Sequence, residues 1–401
     1  MVFTQKEDAV RLSSCLRGWL MNGAVPDVLI VGGGVIGLSV AECAARREMS
    51  VLLLERERLG ARASWAGAGM LNCRPWPRTR QGEPDYFDLL IESIKLHEQW
   101  AARLREETDI DVGFQRCGAV EVYTHSQEDA KRIGQLARLI AGCTERGVRC
   151  AQLTAGELHA LEPELNTSDV VTALHLPGDA QFRPPRFVRA LALSCRQREA
   201  ALTEGVAVSD LCIADGRVTG VIASDGTRYS AGNVVVCMGA WTGQLKALTR
   251  VVPRAAGIEP VRGQIVCYQT PAPLCSHLVT VGERYLVPRP DGVLLVGSTS
   301  EKAGFEAVTT PEGQTMLRRF AETLLPALLA NEPLQGWADL RPGLKGPHPL
   351  MGPVPGVQGL YVAAGHYRNG LCLAPLTGEI IVSLIKNEPP PVSPEPWQPK
   401  G

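Results

Sequence analysis

The chain has 401 residues, 45% of them hydrophobic and 21% charged, with a formal net charge of −1. That length exceeds what one compact core organises, so two domains are expected, and the composition is that of a folded globular protein. The near-zero charge supplies no basic field for nucleic acid, and no apolar run reads as a membrane span.

Residues 1–26 contain Lys6, Glu7, Asp8, Arg11 and Arg17 and lack the long apolar core of a signal peptide. They are expected to form an N-terminal extension with helical character, on a cytoplasmic protein. At Asp27 the pattern changes. An apolar strand, Val28 to Val31, runs straight into Gly32-x-Gly34-x-x-Gly37, then a helix-like run to about Arg47, then a second apolar strand ending on Glu55. The first glycine permits a tight turn, the second lets backbone approach a pyrophosphate, and the third lets helix pack on strand. The helix N-terminus would face the phosphates with free N–H groups. Glu55, 18 residues after Gly37, stands where a carboxylate can accept from ribose hydroxyls. A glycine-rich turn before an ordinary helix is the rival reading, but strand, helix, strand and acid in this order favour a dinucleotide.

Apolar residues three to four apart predict a helix over 86–107, with Leu89, Leu90, Ile94, Leu96 and Trp100 on its face. A strand follows at 119–123, a helix near 127–142, an extended piece ending at Gly178, and a helix over 185–200 that opens on a proline pair. Residues 206–238 read as three short strands turning at Asp215-Gly216 and Asp225-Gly226. Further strands are expected at 264–268, 285–288 and 293–297, a helix at 311–330, a strand at 359–365 and a last helix at 375–386. The proline-rich 387–401 reads as an extended, poorly ordered tail. The apolar strands at 234–239 and 360–365 both end in glycine, as expected where a parallel sheet presents ligand-binding strand ends. The 12 cysteines include no CxxC and read as buried free thiols, the seven histidines are scattered, and no metal site is expected. Arg46-Arg47-Glu48 reads as a solvated face.

The loop Arg62 to Met70 holds Ser64, Gly67 and Gly69, small residues that let backbone N–H groups lie close to a flat ring or a phosphate. Far downstream, Arg341 stands between Trp337-x-x-Leu340 and Pro342-Gly343. A carboxylate bound away from water needs a planar, bidentate cation, which arginine supplies better than lysine. A surface arginine in a Pro/Gly loop fits the residues equally well. Tyr285 reads either as a pocket residue or as a core aromatic, and His366 as a ring-side contact of the dinucleotide or a polar helix start.

Six segments occur in one order: the fingerprint, Ala63-Ser-Trp-Ala-Gly-Ala-Gly-Met-Leu, Pro260-Val-Arg-Gly-Gln, Tyr285-Leu-Val-Pro-Arg, Asp339-Leu-Arg-Pro-Gly, and Gly365-His-Tyr-Arg-Asn-Gly-Leu. On them the chain resembles the FAD-dependent D-amino-acid oxidase superfamily over about residues 27–386, and is most similar to the glycine oxidases of thiamine thiazole synthesis. The resemblance implies an α/β fold in which a Rossmann-like FAD-binding domain is interleaved with an α+β substrate domain built on an antiparallel sheet. The division implied is 27–90, 184–250 and 335–386 for FAD, and 91–183 and 251–334 for substrate. By resemblance, Gly32, Gly34 and Gly37 hold the pyrophosphate and Glu55 the ribose, while Ser64, Gly67, Gly69 and Met70 line the flavin side. Val206 touches the adenine region, Gly239 and Trp241 form the next strand end, and Gly365, Arg368, Asn369, Gly370 and Leu371 close over the ring. Arg341 pairs with the substrate carboxylate, flanked by Tyr285 and Arg368.

The activity implied is oxidative deamination of glycine or a small amine or D-amino acid. Hydride passes from the α-carbon to non-covalent FAD, the imine hydrolyses to an oxo acid and ammonia, and dioxygen becomes hydrogen peroxide. The partners are the small amino acid and dioxygen, and a homo-oligomer stays open. A D-amino-acid or sarcosine-type dehydrogenase with another electron acceptor, or a flavin-binding protein without turnover, are the alternatives. The chain departs from the family after Gly343. Leu344, Gly346 and Pro347 stand where Thr/Ser and Asp-Gly are usual, and Ser300 stands where one glycine oxidase type has Met.

Overall fold

The computed structural model describes residues 25–74, 85–346 and 349–400. The expected N-terminal extension lies outside them except for its last two residues.

The first sheet has six strands in the order Leu350–Pro353, Leu360–Ala364, Val234–Val236, Val28–Val31, Val51–Glu55 and Ala201–Glu204. All neighbours are parallel except the antiparallel edge strand Leu350–Pro353. The central strand shows why its sequence is apolar without alternation: Val28 and Ile30 enter one hydrophobic cluster, Leu29 and Val31 the other, so both faces are covered. Helices Val35–Arg46, Tyr86–Thr108, Pro184–Gln197 and Gly370–Ile385 contribute to the first cluster. The strands Val208–Ala214, Arg217–Ala223 and Arg228–Ser230 form an antiparallel meander that packs against the second.

The second sheet has eight strands: Gln335–Gly343, Glu259–Gln269, Val293–Gly297, Arg284–Pro288, Leu278–Val281, Ala119–Thr124, Val170–Leu176 and Ala151–Leu153. Every pairing is antiparallel except that of Leu278–Val281 with Ala119–Thr124. Its side chains divide with the period of two. Val266, Tyr268, Leu286, Leu294 and Val296 pack with helix Pro311–Leu324, while Ile265, Cys267, Val287 and Leu295 form a separate cluster with Ala68.

Several expectations change. Gln335–Gly343, assigned to the FAD domain, pairs with Glu259–Gln269 from Glu259↔Gly343 to Cys267↔Gln335 and so belongs to the eight-stranded sheet. The helix Tyr86–Thr108, placed mostly in the substrate domain, buries Trp100 and Leu104 in the first cluster, because its apolar stripe meets Gly370–Ile385 and Pro184–Gln197. Arg46 and Arg47 are not a solvated face: both bind the Glu379 carboxylate, Arg47 at 2.6 Å. The last helix begins at Gly370, not 375, with Pro375 near its start.

The segment Tyr367–Ile385 is long and apolar enough to cross a bilayer by composition alone. Its residues from Cys372 to Ser383 are all buried, against Val35–Arg46 and Tyr86–Thr108, as in a core helix. The tail is likewise packed. Trp397 is 3% exposed within the first cluster, and Gln398 lies against Gly352. Trp397→Ala should therefore destabilise the protein by about 3 kcal/mol or more in denaturant unfolding and expose residues 387–400 to protease. An unchanged midpoint would mean the tail contributes nothing to the core.

Candidate active site

A cavity of about 610 Å³ runs between the two sheets. All the candidate residues line it except Gly37: Gly32, Gly34, Glu55, Ser64, Gly67, Gly69, Met70, Val206, Gly239, Trp241, Tyr285, Arg341, Gly365, Arg368, Asn369, Gly370 and Leu371. Gly37 sits beneath the turn, where a Cβ would lie 1.9 Å from the Gly32 carbonyl oxygen. Gly32 has φ +105°, and a Cβ there would meet the Cys237 carbonyl oxygen at 2.4 Å. Both positions exclude a side chain for packing reasons.

The turn feeds helix Val35–Arg46, whose N-cap Gly34 offers no side-chain cap and whose first turn has no acid. The positive end of the helix dipole is left to the cavity. Ser64 accepts from Val35 N–H at 2.8 Å, tying the small-residue loop to this helix end. Glu55 is placed by two backbone donors, Gly33 N–H at 2.7 Å and Glu57 N–H at 2.8 Å. Val206 N–H in turn donates to the Glu55 carbonyl at 2.9 Å. Trp241 packs against Phe305 with ring centroids 5.5 Å apart, and the Arg56 guanidinium lies 3.7 Å from the Trp241 centroid.

Gly67 and Gly69 owe their identity to neighbours more than to the cavity. A Cβ on Gly67 would lie 2.3 Å from Leu371 Cδ1, and one on Gly69 2.1 Å from the Phe182 carbonyl oxygen. Helix Gly370–Ile385 points its own uncapped N-terminus at the cavity, again with no acid in the first turn. That turn is held from behind. His97 Nε2–H donates to the Leu371 and Cys372 carbonyls at 3.0 Å each, Ser93 Oγ donates to Cys372 O at 2.6 Å, and Asn369 Nδ2 donates to Tyr86 Oη at 2.8 Å. His366 lines the cavity but is 1% exposed, with Nε2 at 3.1 Å from Thr377 Oγ1. Leu344 sits over Gly365, whose added Cβ would be 2.8 Å from Leu344 Cδ2. Apolar packing stands there instead of the family's usual hydroxyl, and Pro347 lies outside the described residues.

At the far end, Arg341 donates to the Thr299 carbonyl at 3.1 Å and to Ser298 Oγ at 2.7 Å. Its guanidinium occupies the space over Gly263, where a Cβ would be 2.1 Å from Nη1. Tyr285 does the same over its register partner Gly297, where a Cβ would be 2.4 Å from Cζ. Burial pulls the Arg341 pKa down; the neighbouring Tyr285 opposes this and the Arg368 charge adds to it. Tyr367, not singled out from sequence, completes the pocket: φ is +50° and its hydroxyl is 3.2 Å from Ser300 Oγ. Burial raises its pKa, but bonds with Ser300 and Arg368 and the charges of Arg368 and Arg341 outweigh it, leaving the phenol below its ordinary value. The signal for Tyr367 was its place inside Gly365-His-Tyr-Arg. Gly263 lies inside Pro260-Val-Arg-Gly-Gln, but no local pattern states its role or those of Ser298 and Gly297, which exist only once the strands meet.

A family model for FAD dependent oxidoreductases, DAO, matches residues 27–384. The chain belongs to this family of FAD-dependent oxidoreductases. It is 34% identical over 377 residues to the glycine oxidase of Pseudomonas aeruginosa, covering 93% of this chain and 98% of that one. The crystal structure of glycine oxidase from Geobacillus kaustophilus superposes with a TM-score of 0.84 at 31% identity, covering 94% of this chain and 98% of that chain. A bifunctional protein ThiO/ThiG of Synechocystis is 32% identical over 371 residues, 90% of this chain and 52% of that protein.

FAD fits what this FAD-dependent oxidoreductase presents. Two helix ends whose N-cap residues supply no side-chain cap open on one elongated cavity, one beside the carboxylate of Glu55 and the other beside the Ser64–Met70 loop. Gly37→Ala should force helix from turn and raise the FAD dissociation constant by roughly tenfold or more, read by flavin fluorescence on dilution. Retention equal to wild type would remove the close contact from the account.

His97 generates a second expectation. Burial pushes its pKa down from 6.5 to about 4, against the pull of the two carbonyl bonds. Between those values the unfolded chain binds a proton that the folded chain refuses, so this stability is complete above about pH 6.5 and declines as pH falls toward 4. Thermal midpoints should drop between pH 7 and 5 in the wild type and drop less in His97→Gln, which keeps a donor without titrating.

Proposed function

We propose that the enzyme catalyses FAD-dependent oxidative deamination of glycine or another small amine or D-amino acid, with dioxygen as acceptor and hydrogen peroxide, an oxo acid and ammonia as products. The observation that carries this reading is Arg341. It is a partly buried guanidinium bonded to the neutral acceptors Thr299 O and Ser298 Oγ, at one end of a cavity whose other end fits a dinucleotide.

In this reading Gly32, Gly34 and Gly37 shape the pyrophosphate site, Glu55 holds the ribose, and Val206, Gly239 and Trp241 border the adenosine. Ser64, Gly67, Gly69 and Met70 lie on one side of the ring, and Gly365 with Arg368 to Leu371 on the other. FAD, bound without a covalent link, supplies the hydride acceptor. The chain's own contribution is position and charge. Arg341 receives the carboxylate with two N–H donors, which a lysine could not present in one plane. The hydroxyls of Tyr285 and Tyr367 and the Arg368 guanidinium narrow the space around it, favouring a small side chain. Holding the carboxylate fixes the direction of the Cα–H bond, so orientation supplies the rate and no separate base is needed.

The resemblance to glycine oxidases supports glycine as substrate and a place in thiamine thiazole synthesis. Eleven described cysteines are free thiols, eight of them buried, which supports a reducing, cytoplasmic setting.

Anaerobic mixing of the yellow protein with glycine, sarcosine or D-alanine should bleach the flavin, and air should restore it with peroxide. A flavin left oxidised by all three would end the substrate assignment. Arg341→Ala should weaken apparent glycine affinity by roughly 2–4 kcal/mol, the magnitude of a lost charge-assisted pair with its partner left unpaired. Unchanged affinity in that variant would move the carboxylate site elsewhere.

A further inference from the structure

Two guanidinium groups face the substrate end, and their surroundings differ. Among the described residues Arg341 has no carboxylate within ion-pair distance, and its bonds go to Thr299 O and Ser298 Oγ. Arg368 instead gives Nη2 to Glu283 Oε2 at 2.7 Å. Glu283 also lines the cavity, with a side chain 70% exposed against 30% for Arg368, so the pair stands at the mouth.

The position of Glu283 is set by backbone. Strands Leu278–Val281 and Arg284–Pro288 are joined by Gly282-Glu283 alone, with Val281 opposite Arg284 and Gly282 at φ +59°. A glycine-first two-residue turn matches the twist of the strands and leaves the second residue little freedom. The same strand then carries Tyr285. Two further charged groups lining the cavity have other partners. Arg284 directs Nη2 to Met316 Sδ and lies over Phe320, and Asp339 Oδ1 accepts from the Leu340 N–H at 2.7 Å.

We infer that Glu283 is a specificity-determining residue, which occupies Arg368 and reserves the pocket for amines with a single carboxylate. This rests on the reading of Arg341 as the carboxylate anchor. With Glu283 in place, the two arginines and one acid leave one positive charge, which a monocarboxylate neutralises. An amine with two carboxylates, such as D-aspartate, would bring its second carboxylate against Glu283, and the fork of Arg368 that could bind it is already engaged. Without the acid, Arg368 becomes a second carboxylate site within reach of the first pocket.

The test uses the FAD-loaded enzyme and two unreactive probes, acetate and malonate, followed by perturbation of the flavin absorbance. In Glu283→Gln the malonate-to-acetate affinity ratio should rise on the order of tenfold, the gain of one freed charge-assisted pair at a partly exposed site. In Glu283→Gln/Arg368→Gln the rise should vanish. A ratio unchanged in the single variant overturns the inference, as does a rise that survives the loss of Arg368. Glu283 sits in an exposed turn, so folding does not confound the result. Arg341→Gln separates the two levels. If it abolishes acetate binding while Glu283→Gln leaves the ratio flat, only the role of Glu283 falls. If acetate binds normally without Arg341, or fails to perturb the wild-type flavin, the anchor reading falls and the inference with it.

Discussion

The rest of the site depends on how the last helix is held. Gly370–Ile385 points a free N-terminus into the cavity, which requires every other surface of the helix to be secured in the core. Three contacts do this. Gly378 lets Val35–Arg46 approach so closely that a Cβ would lie 2.6 Å from the Ser39 carbonyl oxygen. Glu379, 8% exposed, is neutralised by Arg46 and Arg47, the last residue and the C-cap of that helix. Ser93 and His97 of the helix Tyr86–Thr108 take the carbonyls of Cys372 and Leu371, which fixes the first turn beside the cavity. A buried acid without those arginines would be strongly unfavourable, so the pairing is a condition of the helix lying where it does.

The same logic governs the floor of the cavity around Arg341. Two long side chains, Arg341 and Tyr285, lie flat on the eight-stranded sheet only because the strands beside them carry Gly263 and Gly297. Glycine in a strand weakens it, and both positions accept that penalty for the sake of space. The opposite face of this sheet makes up for it with an unbroken apolar cluster under helix Pro311–Leu324. Structure and chemistry are thus divided between the faces of one sheet, one packed for stability and one lined for binding.

The two ends of the cavity also differ in what they ask of the chain. The end proposed for the dinucleotide is built largely from turns, glycines and helix termini, with the Glu55 and Ser64 side chains among them. The end proposed for substrate is built from side chains with charge and hydroxyl groups. Substitution at Ser300 or Glu283 can therefore alter that end without disturbing the fold around the other.

Local chemistry was legible in the sequence. The turn at Gly32–Gly37, the acid at Glu55, the small-residue loop at 62–70 and the motif at 365–371 are contiguous, and each carries its physical reason within a few residues. What the sequence could not supply were relations between distant segments. Gln335–Gly343 has no marked alternation, and its place in the second sheet follows only from its register with Glu259–Gln269. Arg46 and Arg47 look like surface charge until Glu379, more than 330 residues away, is brought beside them. The tail looks unstructured until Trp397 finds a gap in the core. Sequence alone determined the turn at Gly32–Gly37 and its fit to a dinucleotide, because that fit is local backbone geometry. Tertiary structure alone decided which arginine is left without an acid and which is paired with Glu283, because that distinction depends on strands that meet only after folding.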